Sequence, residues 1–300
     1  MQENIDFLVT EQNNPSTRQI DQCDTRAILE LINREDQSVP FAVAGELDHI
    51  ARAVDGIVER IKKGGRLIYF GAGTSGRLGV LDASECLPTF GVSLDLVSGV
   101  IAGGDMALRE PIEGAEDDEQ LAYADVDAKN IGPGDAVVGI TASGRTPYVL
   151  AVLRTAKERG ALTIGVCNNK KSRLGQVADI TIEAETGAEV VMGSTRMKAG
   201  TAQKLVLNML STCSMIKLGK VYKNYMVDLC ATNQKLMARS VRMIRLLTDV
   251  PEQTAAQALA DADGRLKVAI LMLKGGISSD KAAQLLEENN DVLRLAIEML

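Results

Sequence analysis

Short apolar runs alternate with helical patterns through most of this chain. Five runs have the length and apolar content of buried strands. They cover residues 67–70, 94–101, 136–141, 162–167 and 180–183. Because strands that alternate with helices usually pair in parallel, the pattern predicts an α/β fold. We expect a parallel sheet flanked by helices on both faces.

Helical spacing of apolar residues fills the intervals between these runs. A polar arm over residues 1–23 comes first. A long helix is predicted from near Pro40 to residue 63, because proline suits the first helical turn. The helix after the first strand should stop by about Cys86, because Pro88 follows. Five further helices are predicted. One ends near Asp36, one runs up to Lys129, and the other three cover residues 143–159, 195–218 and 231–247.

The strand pattern stops before the last fifty or so residues. Short helical patterns take its place, at residues 254–261, 265–273, 279–287 and 292–300. We therefore predict two domains. Residues 1–248, including the N-terminal helical arm, form the α/β domain, and residues 249–300 form a small module of three to four helices.

Composition narrows the classes of function. Apolar residues make up 46% of the chain but aromatic residues only 3%, so the core must be aliphatic. The net charge of −7 argues against a nucleic-acid partner, because such a surface must neutralise phosphates with basic side chains. The chain opens on polar residues, and no uncharged apolar run approaches the ~18–20 residues that span a bilayer. We expect a cytoplasmic protein with neither a nucleic-acid nor a membrane partner.

Cysteine and histidine usage limits the chemistry. The five cysteines have neither metal-site nor redox spacing, which favours reduced thiols. The single histidine, His49, has polar neighbours in a helical pattern and fits a surface position. Histidine triads and histidine-rich metal sites are therefore not expected. Acid–base chemistry should fall to carboxylates.

The most informative motif follows the first strand. Gly71, Gly73 and Gly76 surround Thr74 and Ser75, and a helical pattern then opens. Hydroxyls and unpaired N–H groups at a helix N-terminus form an anion site, which favours phosphate binding by Gly73, Thr74 and Ser75. The glycines also match the G-x-G-x-x-G dinucleotide fingerprint, so NAD is an alternative ligand. The two hydroxyls, and the lack of a clear acid closing a second strand, count against NAD.

Two further helix starts carry hydroxyls. Ser143, Gly144 and Thr146 follow the third strand, and Thr195 and Lys198 open the long helix. Ser and Thr are common N-caps, so one such turn is weak evidence. Three of them, two directly after strands, predict convergence on a single anion at the carboxyl edge of the sheet.

Together these motifs are highly specific. They occupy residues 71–79, 82–86, 113–118, 142–148 and 193–201. On these stretches the sequence resembles the SIS (sugar isomerase) domain family and, within it, the N-acetylmuramic acid 6-phosphate etherases. The resemblance covers nearly the whole chain, including the N-terminal arm and the C-terminal helices.

The resemblance implies both a fold and a reaction. It implies a SIS-type sheet and cleavage of the D-lactyl ether of N-acetylmuramic acid 6-phosphate to N-acetylglucosamine 6-phosphate and D-lactate, in cell-wall sugar recycling. Lactate is eliminated and water is then added. It further implies a homodimer that binds a small 6-phosphosugar and uses no metal or organic cofactor. By motif match, Glu85 is the acid that assists lactate departure and Glu116 is the base that takes the C2 proton.

General chemistry fits two carboxyl groups in these roles. An ether oxygen is a poor leaving group and needs a proton donor, and the hydrogen next to the aldehyde of the opened sugar needs a base. Two carboxyl groups whose pKa values are pushed apart can divide these tasks. From residue types alone, Glu116 also fits a solvated acidic helix start, and Glu85 a partly exposed helix position.

Helix geometry leaves two possibilities for Glu85. A straight helix from Gly76 carries Glu85 about 14 Å from its phosphate-binding end, at ~1.5 Å per residue. An extended hexose phosphate is shorter than that. Either the helix breaks early, or Glu85 reaches a site completed by a second subunit. We favour the shared site.

Two other functions fit part of the pattern. An aldose–ketose phosphosugar isomerase of the same fold would use the same turns and one base, but would leave a lactyl group intact. A non-catalytic phosphosugar-sensing regulator would use the turns alone. The presence of both Glu85 and Glu116 argues against the sensor.

Overall fold

A computed structural model describes residues 6–229 and 234–300 of the chain. These residues divide into two compact units. The first contains the described residues up to Ser84 together with Leu94–Ser211. The second contains Glu85–Ser93 and the described residues from Thr212 onward.

The first unit is built around a parallel sheet, as the sequence predicts. Its five strands lie in the order β2-β1-β3-β4-β5. They are β1 (Leu67–Gly71), β2 (Val97–Ile101), β3 (Ala136–Ile140), β4 (Leu162–Cys167) and β5 (Ile180–Glu183). The second strand is shorter than expected, because it begins at Val97 whereas Leu94 is exposed to solvent.

Eight helices begin in the described part of the first unit. They are α1 (Thr25–Asp36), α2 (Val39–Ala44), α3 (Leu47–Lys62), α4 (Gly73–Phe90), α5 (Glu119–Ala128), α6 (Pro147–Glu158), α7 (Leu174–Val177) and α8 (Lys198–Lys217). The N-terminal arm contains short 3-10 turns at Val9–Glu11, Pro15–Thr17 and Ile20–Gln22, and a further one lies at Asp105–Leu108.

Helices cover both faces of the sheet, which confirms the predicted fold class. On one face Phe70 packs in a buried cluster with Val149 and Leu153 of α6. On the other face α4 approaches β1 so closely that a Cβ atom on Gly79 would lie 2.9 Å from the Cβ of Tyr69. Helix α3 contacts the far strands β3, β4 and β5.

The long helix expected from Pro40 to residue 63 is two helices. Helices α2 and α3 are separated by a turn at Gly45 and Glu46. The Glu46 side chain is buried, accepts a hydrogen bond from the backbone N–H of Glu183 at 3.1 Å and pairs with Lys170. These partners come from β5 and the loop before α7, so only the folded chain reveals the break.

Pro88 does not stop helix α4, contrary to the prediction. The helix continues past Cys86 to Phe90, with Pro88 inside its last turn. A proline removes one intrahelical hydrogen bond and crowds the carbonyl four residues earlier. Because α4 ends two residues later, that loss affects only its final turn.

The second unit is a helical bundle. Its helices are α9 (Gln234–Thr248), α10 (Glu252–Asp261), α11 (Leu266–Gly275), α12 (Ser279–Glu288) and α13 (Leu293–Glu298). Met243 and Ile244 of α9 share one buried cluster with Leu259 of α10 and Ile270 of α11. Helix α9 therefore belongs with the C-terminal helices, and the boundary expected after residue 248 is misplaced. The predicted start of this helix at residue 231 lies outside the described residues.

None of the helices within residues 6–229 and 234–300 combines the length and the apolar content needed to span a membrane.

Candidate active site

The first two hydroxyl turns begin side by side at the carboxyl edge of the sheet. Gly71 at the end of β1 lies in register with Ile140 at the end of β3. Strand β2 flanks β1 on its other side, so the order in which successive strands are added to the sheet reverses between β1 and β3. Such a switch point is where open α/β sheets bind ligands.

The three glycines of the first turn have different roles. A Cβ atom on Gly76 would lie 2.6 Å from the carbonyl oxygen of Gly71, so helix α4 can start this close to β1 only without a side chain. Gly73 has a φ of +52°, and a Cβ atom there would meet nothing within 4 Å. The N-terminus of α4 is therefore open to an anion on the Gly73 side.

Ser75 supports the turn from inside. Its buried hydroxyl donates to Gln203 Oε1 at 2.9 Å, Gln203 Nε2 donates to Asn168 Oδ1 at 3.0 Å, and Asn168 Nδ2 donates to the carbonyl of Ala184 at 3.0 Å. Because a carbonyl only accepts hydrogen bonds, it fixes the direction of the whole chain. The Ser75 proton is thereby directed to Gln203 rather than outward.

Gln203 and Asn168 are site-supporting residues that the sequence analysis missed. Both are almost completely buried. Gln203 lies between the buried residues Ala202 and Val206 on the apolar side of α8. A polar residue at a core position of a predicted helix was the available signal.

The second turn presents a cluster of hydroxyls. Thr141 Oγ1 lies 2.7 Å from Thr146 Oγ1 and 3.4 Å from Ser143 Oγ. The three hydroxyl groups carry three protons, and their two mutual contacts use at most two of them. At least one proton therefore remains to be donated to a ligand. Gly144 has a φ of +73°, and a Cβ atom there would lie 2.5 Å from Ser172 Cβ. Thr141, the last residue of the predicted third strand, was also missed as a site residue.

Glu116 lies beside this second turn. The backbone N–H of Tyr148, in the first turn of α6, donates to the carbonyl oxygen of Glu116 at 3.0 Å. Arg77 of α4 holds the same β2–α5 connection by donating from Nε to the carbonyl of Leu108 at 3.1 Å. The Glu116 residue itself is exposed. The structure therefore places the backbone of this predicted base beside the second turn.

The third helix start does not offer its N-terminus to a ligand. The backbone N–H groups of Lys198 and Ala199 both donate to the Glu189 carboxylate at 2.9 Å. The Lys198 ammonium is buried and lies 2.7 Å from Glu35. Burial raises the pKa of Glu35, but hydrogen bonds from Lys198 and Asn14 outweigh it and hold the pKa below its usual value. The predicted phosphate contact of Lys198 conflicts with this arrangement.

Thr195 nevertheless lies near the first turn. A Cβ atom on Gly200 would be 3.4 Å from Thr74 Cγ2 and 3.5 Å from the carbonyl oxygen of Thr195. The segment that opens α8 is thus packed against Thr74. Thr195 is therefore a neighbour of the first cluster, but the backbone N–H groups that open α8 are bound by Glu189.

Glu85 is exposed on an unbroken helix. Helix α4 runs from Gly73 to Phe90 without interruption, so the early helix break considered above is ruled out. Glu85 lies twelve residues beyond Gly73, which is about 18 Å along a straight helix.

The remaining acid–base and metal-binding candidates are few. His49 is half exposed, as expected, and its Nδ1 lies 2.8 Å from Glu46. Within the described ranges, no group of three or more His, Cys, Asp or Glu side chains is placed to hold a metal ion.

Three known domain families match parts of the chain. The N-terminal SIS domain of glucokinase regulatory protein matches residues 49–157, and the SIS domain matches residues 117–213. The C-terminal lid domain of glucokinase regulatory protein matches residues 223–264. The SIS match agrees with the parallel sheet.

Similarity to whole proteins extends over nearly the full chain. An N-acetylmuramic acid 6-phosphate etherase from Glaesserella parasuis serovar 5 is 54% identical over 281 residues, which is 94% of this chain and 92% of that protein. One from Caldanaerobacter subterraneus subsp. tengcongensis is 53% identical over 295 residues, 98% of this chain and 96% of that protein. The chain belongs to the N-acetylmuramic acid 6-phosphate etherase family. This etherase family membership confirms the resemblance seen in the sequence motifs.

Proposed function

We propose that this chain is an etherase that cleaves the D-lactyl ether of N-acetylmuramic acid 6-phosphate, giving N-acetylglucosamine 6-phosphate and D-lactate. The main support is sequence identity above 50%, over nearly the whole chain, to relatives that are named N-acetylmuramic acid 6-phosphate etherase. The geometry supports the proposal, because two turns rich in glycine and hydroxyl groups are adjacent at one sheet edge, and the backbone of the exposed Glu116 is hydrogen-bonded beside the second turn.

The phosphate is bound by the first two turns. The Thr74 hydroxyl and the backbone N–H groups at Gly73 and Ser75 contact it from the N-terminus of α4. The second turn contributes the hydroxyl cluster of Thr141, Ser143 and Thr146, with Gly144 allowing close backbone approach. Thr195 adds to the wall beside Thr74. Lys198 is left out of the ligand set, because its ammonium is already paired with Glu35.

Glu116 is the base. With the sugar ring open, the C1 aldehyde acidifies the C2 hydrogen, and Glu116 removes that proton. The released electron pair forms the C2–C3 double bond as the C3–O bond breaks. Glu85 protonates the departing oxygen, which leaves as D-lactate. Water then adds its hydroxyl to C3, and a proton returns to C2.

The active site is shared between the subunits of a homodimer. The support is the continuity of α4, in which Glu85 lies twelve residues beyond Gly73, farther along a straight helix than a hexose phosphate extends. The test mixes a Glu85→Gln chain with a Glu116→Gln chain. Sharing predicts restored activity in the heterodimer, because one of its two sites keeps both glutamates. No activity in the heterodimer contradicts sharing.

Lactate release tests the function itself. Purified protein is incubated with N-acetylmuramic acid 6-phosphate, and D-lactate is measured with a lactate dehydrogenase. The proposal predicts one lactate per N-acetylglucosamine 6-phosphate formed, and loss of both in Glu116→Gln. An isomerase would leave the lactyl group on the sugar, and a sensor would bind the sugar without turnover. Either result overturns the proposal.

The reaction takes place in the cytoplasm. Cys23, Cys86, Cys167 and Cys213, the four cysteines in the described part of the chain, form no disulfide with one another, which fits a reducing compartment.

A further inference from the structure

Two adjacent asparagines in the β4–α7 loop connect to the hydroxyl turns. Asn168 is part of the buried chain that supports the first turn, and its backbone N–H donates to the carbonyl oxygen of Ala142 at 3.0 Å. The Asn169 side chain donates from Nδ2 to the same carbonyl oxygen at 3.0 Å. Ala142 lies between Thr141 and Ser143 of the second turn. Its carbonyl thus accepts as many hydrogen bonds as it has lone pairs, which fixes the backbone of that turn.

Asn169 also holds the N-terminal arm. Its Oδ1 accepts a hydrogen bond from the backbone N–H of Val9 at 2.8 Å, and its Nδ2 also donates to Thr10 Oγ1 at 3.1 Å. Only 3% of Asn169 is exposed. The amide orientation follows from this network, because Oδ1 must accept from an N–H group while Nδ2 donates to a carbonyl group. One buried side chain therefore joins the arm to the second turn.

Further contacts seat the arm on the same sheet-based unit. Asn14 Nδ2 donates to the carbonyl oxygen of Ala188 at 3.3 Å. Thr17 Oγ1 donates to the carbonyl oxygen of Val190 at 2.8 Å. These two carbonyls flank Glu189, whose carboxylate binds the N–H groups that open α8. The arm is thus hydrogen-bonded to the segments on both sides of the first turn's supporting chain, although its sequence pattern is that of an irregular segment.

We infer that Asn169 is a positioning residue of the phosphosugar site, and that the N-terminal arm contributes to sugar binding through it. The inference rests on the proposed function, in which the second turn binds the phosphate. The hydroxyls of Thr141 and Ser143 can meet the phosphate together only if the backbone between them is held in place. Sugar binding then favours the seated arm, and the seated arm favours sugar binding by the same factor.

Titration with N-acetylglucosamine 6-phosphate tests the positioning role. Asn169→Ala removes the contacts to both the arm and the turn, and should weaken binding at least about fivefold, the lower end of the usual coupling between two sites. Thr10→Val keeps the contact between Asn169 and Ala142 but removes one contact to the arm, so it should cause a smaller loss. Asn13→Ala is the matched control. It removes an exposed asparagine of the same arm that accepts a hydrogen bond from Arg18, and should leave the affinity unchanged.

Hydrogen exchange distinguishes positioning from a general loss of structure. In the wild-type protein, N-acetylglucosamine 6-phosphate should slow amide exchange in the arm around Val9. In Asn169→Ala this slowing should disappear, while exchange in the sheet strands stays as in wild type. Turnover of N-acetylmuramic acid 6-phosphate should show a higher KM with kcat within about threefold, because the phosphate is held equally in the ground state and the transition state.

Several results would overturn the inference. Wild-type exchange in the arm that is the same with and without the sugar would do so, and this measurement decides even if Asn169→Ala does not fold. A folded Asn169→Ala that binds the sugar as wild type does, a loss confined to kcat, or faster exchange throughout the strands would also contradict it. Failure of the proposed function is a different result, because the wild-type protein would then release no lactate.

Discussion

At the scale of single residues, the direction of hydrogen bonding indicates different roles for the neighbouring hydroxyl groups of Thr74 and Ser75. The Ser75 proton is directed to Gln203 through a chain that ends on a carbonyl group. Thr74, next to it, lies partly exposed beside Gly200 at the rim of the turn. The motif names both residues as phosphate ligands, but the Ser75 hydroxyl is hydrogen-bonded inward to Gln203, so in the proposed site the side-chain contact to the phosphate falls to Thr74.

The two hydroxyls should therefore respond differently to substitution. Ser75→Ala should lower the free energy of unfolding by about 1–3 kcal/mol, because Gln203 Oε1 is left buried without its donor. Thr74→Val should instead weaken binding of N-acetylglucosamine 6-phosphate with little change in stability. Urea unfolding and calorimetric titration of both variants make the comparison. A Ser75→Ala variant that loses affinity at unchanged stability contradicts the assignment.

Glu46 makes stability depend on pH. Burial raises its pKa, but hydrogen bonds from Lys170, the Glu183 N–H and His49 outweigh this, so the pKa lies below its usual 4.5. A carboxyl group whose pKa is lowered by folding stabilises the fold above its unfolded pKa and loses that effect as the pH falls through its folded pKa. Glu46→Gln should therefore reduce the free energy of unfolding most near neutral pH.

The difference between wild type and Glu46→Gln should shrink steadily as the pH is lowered below 4.5. Denaturant unfolding of both proteins at a series of pH values measures it. A difference that stays constant over this range would show that Glu46 acts through packing rather than charge.

At the scale of elements, local patterns were predictable and long-range partners were not. The five strands and the first two turns follow from apolar runs and glycine placement, which are local features. The break before α3 depends on Glu46 meeting Lys170, and the blocked start of α8 depends on Glu189 and on the Lys198–Glu35 pair. The Glu46–Lys170 and Lys198–Glu35 pairs join residues 124 and 163 positions apart, so residue types alone could not reveal them.

The placement of α9 in the second unit can be tested with two residues of one helix. Ile244 is fully buried in the helical cluster, whereas Leu246 is 59% exposed. Ile244→Ala should cost about 2–5 kcal/mol, and Leu246→Ala should stay within about 0.5 kcal/mol. Hydrogen exchange should show lost protection in α10 and α11 for Ile244→Ala. Loss confined to the sheet strands would return α9 to the first unit.

At the scale of the whole molecule, the chain combines one sheet-based unit with one helical unit. The sequence predicted both units but placed the boundary after residue 248, on the C-terminal side of α9. The helical pattern of α9 does not show which unit it packs against, because its buried partners lie in α10 and α11. The same scale holds the least predictable part of the site. In the proposed shared site, which chain's Glu85 serves which Glu116 depends on assembly, and the heterodimer experiment addresses it directly.

The central claim is that Glu116 removes the C2 proton of a phosphosugar held by the two hydroxyl turns. Turnover in deuterated water tests it, with deuterium at C2 of the sugar measured by mass spectrometry. Wild type and the neighbouring control Glu113→Gln should both incorporate deuterium. Glu116→Gln should incorporate none while still binding N-acetylglucosamine 6-phosphate as wild type does. Deuterium incorporation by Glu116→Gln at the wild-type rate would contradict the account.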